Sequence, residues 1–250
     1  MASDFIDKKV VYAGAAGSFL PAWPTVYATQ DFLATISTGS SFNTTTSAWD
    51  STSFILGFDI SGDTSASPRP FCFAEVPGIA TSNSYSTDVY EGHLRILTTE
   101  YFWSENGTLS TTATLSILDV PPSTLDAGTE MFLTGKISLE VASSFDSVVF
   151  VRFMEDWGYV EPSMGPSFIY DLSDPSDPKT LSGLETSGYS SYLEPIKIDG
   201  VLHMLGVGMI VNETSWESSL KITVFDVSDR TSLQVKAAYV EKKDVYSTSG

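Results

Sequence analysis

One cysteine, two histidines and four asparagines in 250 residues leave this chain poor in the side chains on which much protein chemistry depends. Cys72 alone excludes an intrachain disulfide and a cysteine-based metal cluster, and between Phe71 and Phe73 it reads as a small strand residue. His93 and His203 by themselves make only a weak zinc site. Their matching places in second strands point to packing. Basic residues are scarce: 13 Lys and Arg stand against 31 Asp and Glu, a net charge of −18. With no basic stripe to neutralise phosphates, nucleic acid and anionic membrane are both poor partners. No apolar run is long enough to cross a bilayer, so no membrane insertion is expected of this segment. Met1 to Lys9 carries no apolar signal-peptide core. No nucleophile elbow, zinc-protease helix motif, P-loop or dinucleotide fingerprint is present, and no stretch keeps a helical period with caps.

What the chain does have is a repeat. An apolar-apolar-Asp-apolar signature occurs as Gly57-Phe58-Asp59-Ile60, Ile117-Leu118-Asp119-Val120, Ile169-Tyr170-Asp171-Leu172 and Val224-Phe225-Asp226-Val227. The aspartates lie 60, 52 and 55 residues apart. A period near fifty marks units that cannot bury their own faces alone. Each unit reads as four short strands rich in Val, Ile, Thr, Phe and Tyr. The first has Thr25 to Thr29, Phe32 to Ser37, Phe54 to Ile60 and Phe71 to Val76. The second has Asn83 to Tyr90, a Glu91-Gly92 turn, His93 to Thr99, Thr114 to Val120 and Phe132 to Ile137. The third has Val148 to Met154, a turn at Asp156-Trp157-Gly158, Tyr159 to Glu161, Ser167 to Leu172 and Thr180 to Leu184. The fourth has Tyr192 to Ile198, an Asp199-Gly200 turn, Val201 to Val207, Leu220 to Val227 and Val235 to Val240. Asp-Gly between β-rich runs is a strong hairpin signal. Four antiparallel strands per repeat predict an all-β propeller. Its blades fall at about 25–77, 83–137, 148–184 and 190–240, after an N-terminal lead-in strand or linker over 1–24.

The signature aspartate closes the third strand and is followed by Ser61-Gly62-Asp63, Pro121-Pro122-Ser123, Ser173-Asp174-Pro175 or Ser228-Asp229-Arg230. Capping of the turn explains Asp171, Asp174 and Asp177. Calcium is the functional alternative for these three, since it binds clustered carboxylates and carbonyls, although no EF-hand loop spacing is present. No other cofactor is indicated.

Asn83 to Thr99, Val151-Arg152-Phe153-Met154 leading to Tyr159-Val160, Asp171 to Pro175 with Gly188-Tyr189-Ser190-Ser191-Tyr192-Leu193, and Phe225 to Asp229 together resemble the motifs of the secreted C-terminal β-propeller domain family, distant relatives of WD repeats. The resemblance covers roughly residues 25 to 250 and implies an extracellular or surface-attached propeller. Glu194 stands where that family usually has a histidine, Arg230 where it has a proline, and the segment from Glu161 to Pro166 is shorter than usual. Tyr246-Ser247 matches the opening strand of a further blade, which predicts that the 250 residues are a piece of a longer chain. The competing reading is a closed four-bladed propeller in which Val10 to Ala15 completes a sheet, since an unclosed stack exposes strand edges.

Three of the four asparagines lie in glycosylation sequons: Asn43-Thr44-Thr45, Asn106-Gly107-Thr108 and Asn212-Glu213-Thr214. All three fall between second and third strands, which predicts a sugar-coated face. Arg95 and Arg152 need partners if buried, and Asp88, Asp146 and Glu194 are candidates for ion pairs between blades. Trp103, Trp157 and Trp216 lie in or near loops, where exposed rings can stack on a sugar or peptide. A non-enzymatic binding or scaffolding propeller with a protein or carbohydrate partner is the leading expectation, with Asp88, Arg95, Arg152, Tyr189, Tyr192 and Glu194 as candidate ligand-binding residues. The alternatives are a hydrolase or lyase acting on polysaccharide or peptide through paired carboxylates such as Asp88 and Glu91, and a purely structural surface component.

Overall fold

The computed structural model describes residues 24–43, 48–62, 68–80, 85–103, 109–125, 128–140, 148–162, 167–184, 188–211 and 218–241. The lead-in segment with Val10 to Ala15, and the chain end at Tyr246-Ser247, lie outside them. Among the described residues every regular element is a β-strand. Contacts divide the chain into two compact units: unit 1 spans Met1–Phe145 with Asp174–Pro178, and unit 2 spans Asp146–Ser173 with Lys179–Gly250.

Unit 1 holds the first two blades. The first is β1 (Thr25–Ala28), β2 (Phe32–Asn43), β3 (Ala48–Asp59) and β4 (Arg69–Pro77), paired antiparallel in chain order. The second has β5 (Ile79–Ala80) and β6 (Thr87–Tyr90), which both pair with β7 (His93–Trp103), followed by β8 (Leu109–Asp119) and, after the short β9 (Thr129–Glu130), β10 (Phe132–Glu140). The strand expected from Asn83 to Tyr90 is found over Thr87–Tyr90 only, after a turn at Tyr85-Ser86, and Asn83 lies outside the described residues. Its partner β7 is met by two separate pieces, Ile79–Ala80 opposite Thr99 and Thr98, and Thr87–Tyr90 opposite Ile96 to His93. β9 adds in parallel to β4, with Cys72 opposite Thr129. Unit 2 holds β11 (Val148–Met154), β12 (Trp157–Pro162), β13 (Ser167–Asp171) and β14 (Lys179–Leu184), then β15 (Tyr189–Ile198), β16 (Val201–Val211), β17 (Ser218–Asp226) and β18 (Gln234–Val240), again two antiparallel sheets in chain order.

The hairpins follow from turn chemistry. Glu91-Gly92 and Asp199-Gly200 both carry positive φ at both positions, +48° and +80° in one and +52° and +79° in the other. This is the type I′ geometry that suits the twist of the strands. The third blade departs from expectation: its turn is Glu155-Asp156, with Glu155 at φ +47°, and Met154 faces Trp157 across it. Gly158 is thus a strand residue, packed between Phe153 and Leu172. The first blade has no glycine at this place. Thr29 closes its longer turn instead, its Oγ1 accepting from the Phe32 amide at 3.1 Å.

The signature has a structural meaning in all four blades. The register between third and fourth strands slips beside Gly57/Phe58, Ile117/Leu118, Ile169/Tyr170 and Val224/Phe225, just before the aspartate each time. The extra residues are Phe71, Thr134, Leu181 and Lys236. Such a bulge turns one side chain out of the alternation and increases the local twist. Opposite the aspartate, at the head of the second strand, stands a ring in every blade: Phe32, His93, Trp157 and His203. In the first blade the bulge residue Phe71 meets Phe32 edge-on, with ring centroids 6.0 Å apart.

Candidate functional site

The aspartates after the third strands act first as turn caps. Asp59 Oδ1 accepts from the Ser61 amide at 3.0 Å and its hydroxyl at 2.6 Å, and Asp171 does the same with Ser173 at 3.0 and 2.6 Å. Asp226 accepts from the Ser228 amide at 2.9 Å. Asp174 and Asp229 repeat the cap one turn on, with Ser176 and Thr231. The hydroxyl and amide donated to each hold the Asp59, Asp171, Asp226 and Asp229 carboxyls below the usual carboxylate range. At the second repeat Pro121 occupies the serine's place and has no N–H to donate. Of the calcium candidates, Asp171 and Asp174 are engaged in these caps and Asp177 donates its amide to the Asp174 carbonyl. Among the described residues no group of three or more His, Cys, Asp or Glu is arranged to hold a metal ion.

The six residues expected to bind a ligand divide between the units. In unit 1, Asp88 sits directly opposite Arg95 on neighbouring strands. Arg95 Nε donates to Asp88 Oδ2 at 3.1 Å, and a second nitrogen pairs with the same oxygen. The Arg95 guanidinium also lies 5.1 Å from the centre of the Tyr90 ring. Tyr27 of the first blade donates its hydroxyl to Asp88 Oδ1 at 3.3 Å and accepts the Val89 amide. The expected pair between blades is therefore a pair within one sheet, and Tyr27 supplies the link to the first blade. In unit 2, Arg152 and Tyr192 converge on Glu194 Oε2 at 3.3 and 3.1 Å, joining the two sheets. Tyr189 opens β15, and its side chain lies outside the described residues, as does Asp146. Glu91 sits exposed in its turn at φ +48°.

Arg230, the other departure from the family pattern, is a partner as well. Its guanidinium donates to Asp156 Oδ1 at 2.5 Å and lies 5.5 Å from the centre of the Trp157 ring. Trp157 is a correction to the sequence reading. It heads a strand and is only 2% exposed, because the turn falls one residue earlier than expected. Trp216 lies outside the described residues, and Trp103 closes β7.

Unit 2 also contains a buried polar network that the sequence reading did not single out. All six residues of β12 are buried. Glu161 within it accepts from the Tyr159 hydroxyl, from Ser167 Oγ at 2.8 Å and from the Ser190 amide at 3.3 Å. Burial raises the Glu161 carboxyl above its ordinary value and raises the Tyr159 hydroxyl well above its own. Lys221, also buried, is lowered by the same cause and acts back on Glu161 through its charge. The one sequence signal for this network is a carboxylate inside the apolar strand Tyr159-Val160-Glu161. Towards the other end of the fourth blade, His203 is 1% exposed; its Nδ1 lies 2.9 Å from the Val201 carbonyl and its Nε2 lies 2.6 Å from Nζ of the bulge residue Lys236. His93 makes the equivalent backbone contact to Glu91 at 3.1 Å. His93 opens β7 and His203 stands third in β16, each ring against a backbone carbonyl two residues earlier.

Among the described residues, unit 1 carries an open concavity. A cleft of about 430 Å³ lies over one face of the second blade, within the size range of small-ligand sites. Its floor is a row of alternate β8 residues, Thr112, Thr114, Ser116 and Leu118, continued by Ser138 and Lys136 on β10. The sides are Glu75 to Pro77 of β4, Glu100 and Phe102 of β7, and the link from Glu130 to Leu133. Phe102 is 48% exposed and Phe132 70%. None of these residues was expected from the sequence, because they come from four strands that only pairing brings together.

A family model for the beta propeller domain matches residues 7–249. An uncharacterized protein of Archaeoglobus fulgidus is 34% identical over 168 residues, 66% of this chain and 22% of that protein. One of Methanocaldococcus jannaschii is 31% identical over 150 residues, 59% of this chain and 21% of that protein. The chain thus spans about a fifth of the length of these relatives. Among solved structures, the Bombyx mori GH32 beta-fructofuranosidase BmSUC1 is similar at 12% identity over 96% of this chain and 56% of its own, with a TM-score of 0.42. The xylan beta-1,4-xylosidase of Bacillus halodurans C-125 is similar at 9% identity over 87% of this chain and 43% of its own, with a TM-score of 0.33. Four antiparallel blades in chain order, each closed by a bulged signature, together with a family match over nearly all residues, place the chain in the beta propeller domain family.

Proposed function

We propose that this propeller is an extracellular or cell-surface binding module, and that the cleft of unit 1 is its recognition surface. The observation that supports this reading is the contrast between engaged and presented groups. Asp88, Arg95, Arg152, Tyr192 and Glu194 are joined to one another in ion pairs and hydrogen bonds. The cleft instead presents the Thr112 hydroxyl, the Glu100 and Glu130 carboxylates and two exposed phenyl rings in one concavity. A hydrolase working by acid and base needs paired carboxyls at one cleft, one with a raised pKa. Glu161, whose carboxyl is raised, is 2% exposed and held by three donors, and is not among the residues lining the cleft. Glycans on Asn43, Asn106 and Asn212 accord with secretion. Asn43 closes β2, Asn106 falls between β7 and β8, and Asn212 follows β16, the same connection in three blades. The third blade has Ser163 to Pro166 there and no sequon.

Incubation with a panel of polysaccharides and peptides should release no product at enzyme-level protein concentrations. Product release that is lost in Glu100→Gln would replace the binding module with a hydrolase or lyase. For location, protein from its native host should lose mass on enzymatic removal of N-glycans, and an unchanged mass would remove the support the sequons give.

A further inference from the structure

We propose that the unit 1 cleft takes an oligosaccharide that carries no negative charge; this rests on reading the cleft as a recognition surface. Three features act together. The floor is polar from Thr112 to Ser116 and turns apolar only at Leu118: Thr112, Thr114 and Ser116 share one face of β8, and Thr114 Oγ1 lies 3.1 Å from Ser138 Oγ. Each such hydroxyl offers one donor and two acceptor sites, more than one neighbouring hydroxyl can use. An apolar ligand lying there would bury these groups unpaired, at a cost of roughly 1–3 kcal/mol each.

The second feature is charge. Glu75, Glu100 and Glu130 line the cleft against a single cation, Lys136. Ionised carboxylates accept hydrogen bonds and cannot donate them, so they suit a ligand rich in O–H or N–H donors. They repel uronates, sulfated glycans and phosphates. The third is the pair of exposed rings. Phe102 and Phe132 offer faces without polar atoms, which suit the C–H face of a sugar ring. A ligand with hydroxyl edges and an apolar face answers all three features. A basic peptide answers the carboxylates alone. Amino-bearing sugars gain an ionic attraction that neutral sugars lack, so they should bind more tightly at low salt.

Calorimetric titration of the full chain with cellohexaose, maltohexaose, a glucosamine hexamer, a galacturonate hexamer and a lysine hexapeptide tests this. At least one neutral hexamer and the glucosamine hexamer should bind, with the galacturonate at least tenfold weaker. Phe132→Ala, at a position already 70% exposed, should weaken both by about tenfold without altering the melting temperature. Glu100→Gln should weaken the glucosamine hexamer more than the neutral one, and raised salt should do the same. Tyr239→Ala, on the exposed outer strand of unit 2, should change neither. Binding of the lysine peptide alone, lost in Glu100→Gln, overturns the ligand class and leaves the cleft as a recognition surface. Galacturonate binding as tight as the neutral hexamers, or sugar binding unaffected by Phe132→Ala, overturns the assignment to this cleft. No binding by any probe at millimolar concentration overturns both the ligand class and the recognition role of the cleft.

Discussion

Unit 1 and unit 2 are made from the same repeat, yet they treat polar groups in opposite ways. Unit 1 packs Phe32, Ile36, Ile55, Leu94, Ile96 and Leu118 into one apolar cluster, with Cys72 at 0% exposure inside it. Burial there pushes the Cys72 thiol up to about 12, so it is inert as a nucleophile at neutral pH. The charged side chain it buries, Arg95, is paired with the partly exposed Asp88. Unit 2 instead buries Glu161, Lys221 and His203 among its strands and satisfies the carboxylate with three donors. A shared blade pattern therefore tolerates two kinds of interior. What the repeat requires is the bulge before the signature aspartate and the hairpin, and what fills the space between sheets is free to vary.

The largest effects should come from attacking each interior by its own mechanism. Glu161→Ala should cost about 3–5 kcal/mol in chemical denaturation, because it leaves the buried Tyr159 and Ser167 hydroxyls and the Ser190 amide without their acceptor. Glu161→Gln, which keeps the shape and some acceptors, should cost only about 1–2 kcal/mol. Equal losses for the two variants would mean that hydrogen bonding to the carboxylate is not what holds unit 2. In unit 1, Ile55→Ala should cost about 2–5 kcal/mol as a cavity effect, with no dependence on pH.

The pH dependence sharpens the contrast. Burial raises the Glu161 carboxyl above its ordinary 4.5, so the folded state favours the protonated form. Its contribution is fully present below the unfolded value and falls as pH rises through the folded one. The caps run the other way. Asp59, Asp171 and Asp226 are lowered, so their contribution is present above the ordinary carboxylate range and is lost on acidification. Denaturation of the parent chain and Glu161→Gln across pH 3 to 8 should show the parent losing stability relative to the variant as pH rises. A difference that grows in the parent's favour with pH would contradict the assigned direction.

Smaller effects should separate the repeats from one another. Asp171→Ala should cost up to about 1 kcal/mol through its two cap hydrogen bonds, and Asp119→Ala should cost less, since Pro121 has no amide to cap. Arg230→Ala should cost less than about 1 kcal/mol, because both its side chain and that of Asp156 are over a third exposed. Calcium should leave the melting temperature unchanged. A rise that disappears in Asp174→Ala would restore the ion to these loops.

The sequence by itself determined the repeat, the all-β class and the strand ends at the signature turns. Each depends on neighbours a few residues away: alternation along a strand, positive φ at Glu91-Gly92 and Asp199-Gly200, and a serine two residues beyond an aspartate. At their opposite ends β2, β3, β7, β8 and β16 run four to six residues further than expected. Where the local signal was ambiguous the reading slipped, as at Glu155-Asp156, whose turn was placed one residue late because Gly158 looked like a turn glycine. Only the tertiary structure decided the rest. The bulges at Phe71, Thr134, Leu181 and Lys236 are a property of two strands in register, invisible in either one. Glu161 finds its donors on β12, β13 and β15, and the cleft draws on β4, β7, β8 and β10. A side chain's chemistry is written in the sequence, but its burial and partners depend on chains of contacts between residues far apart. Those are set by how the sheets pair and pack.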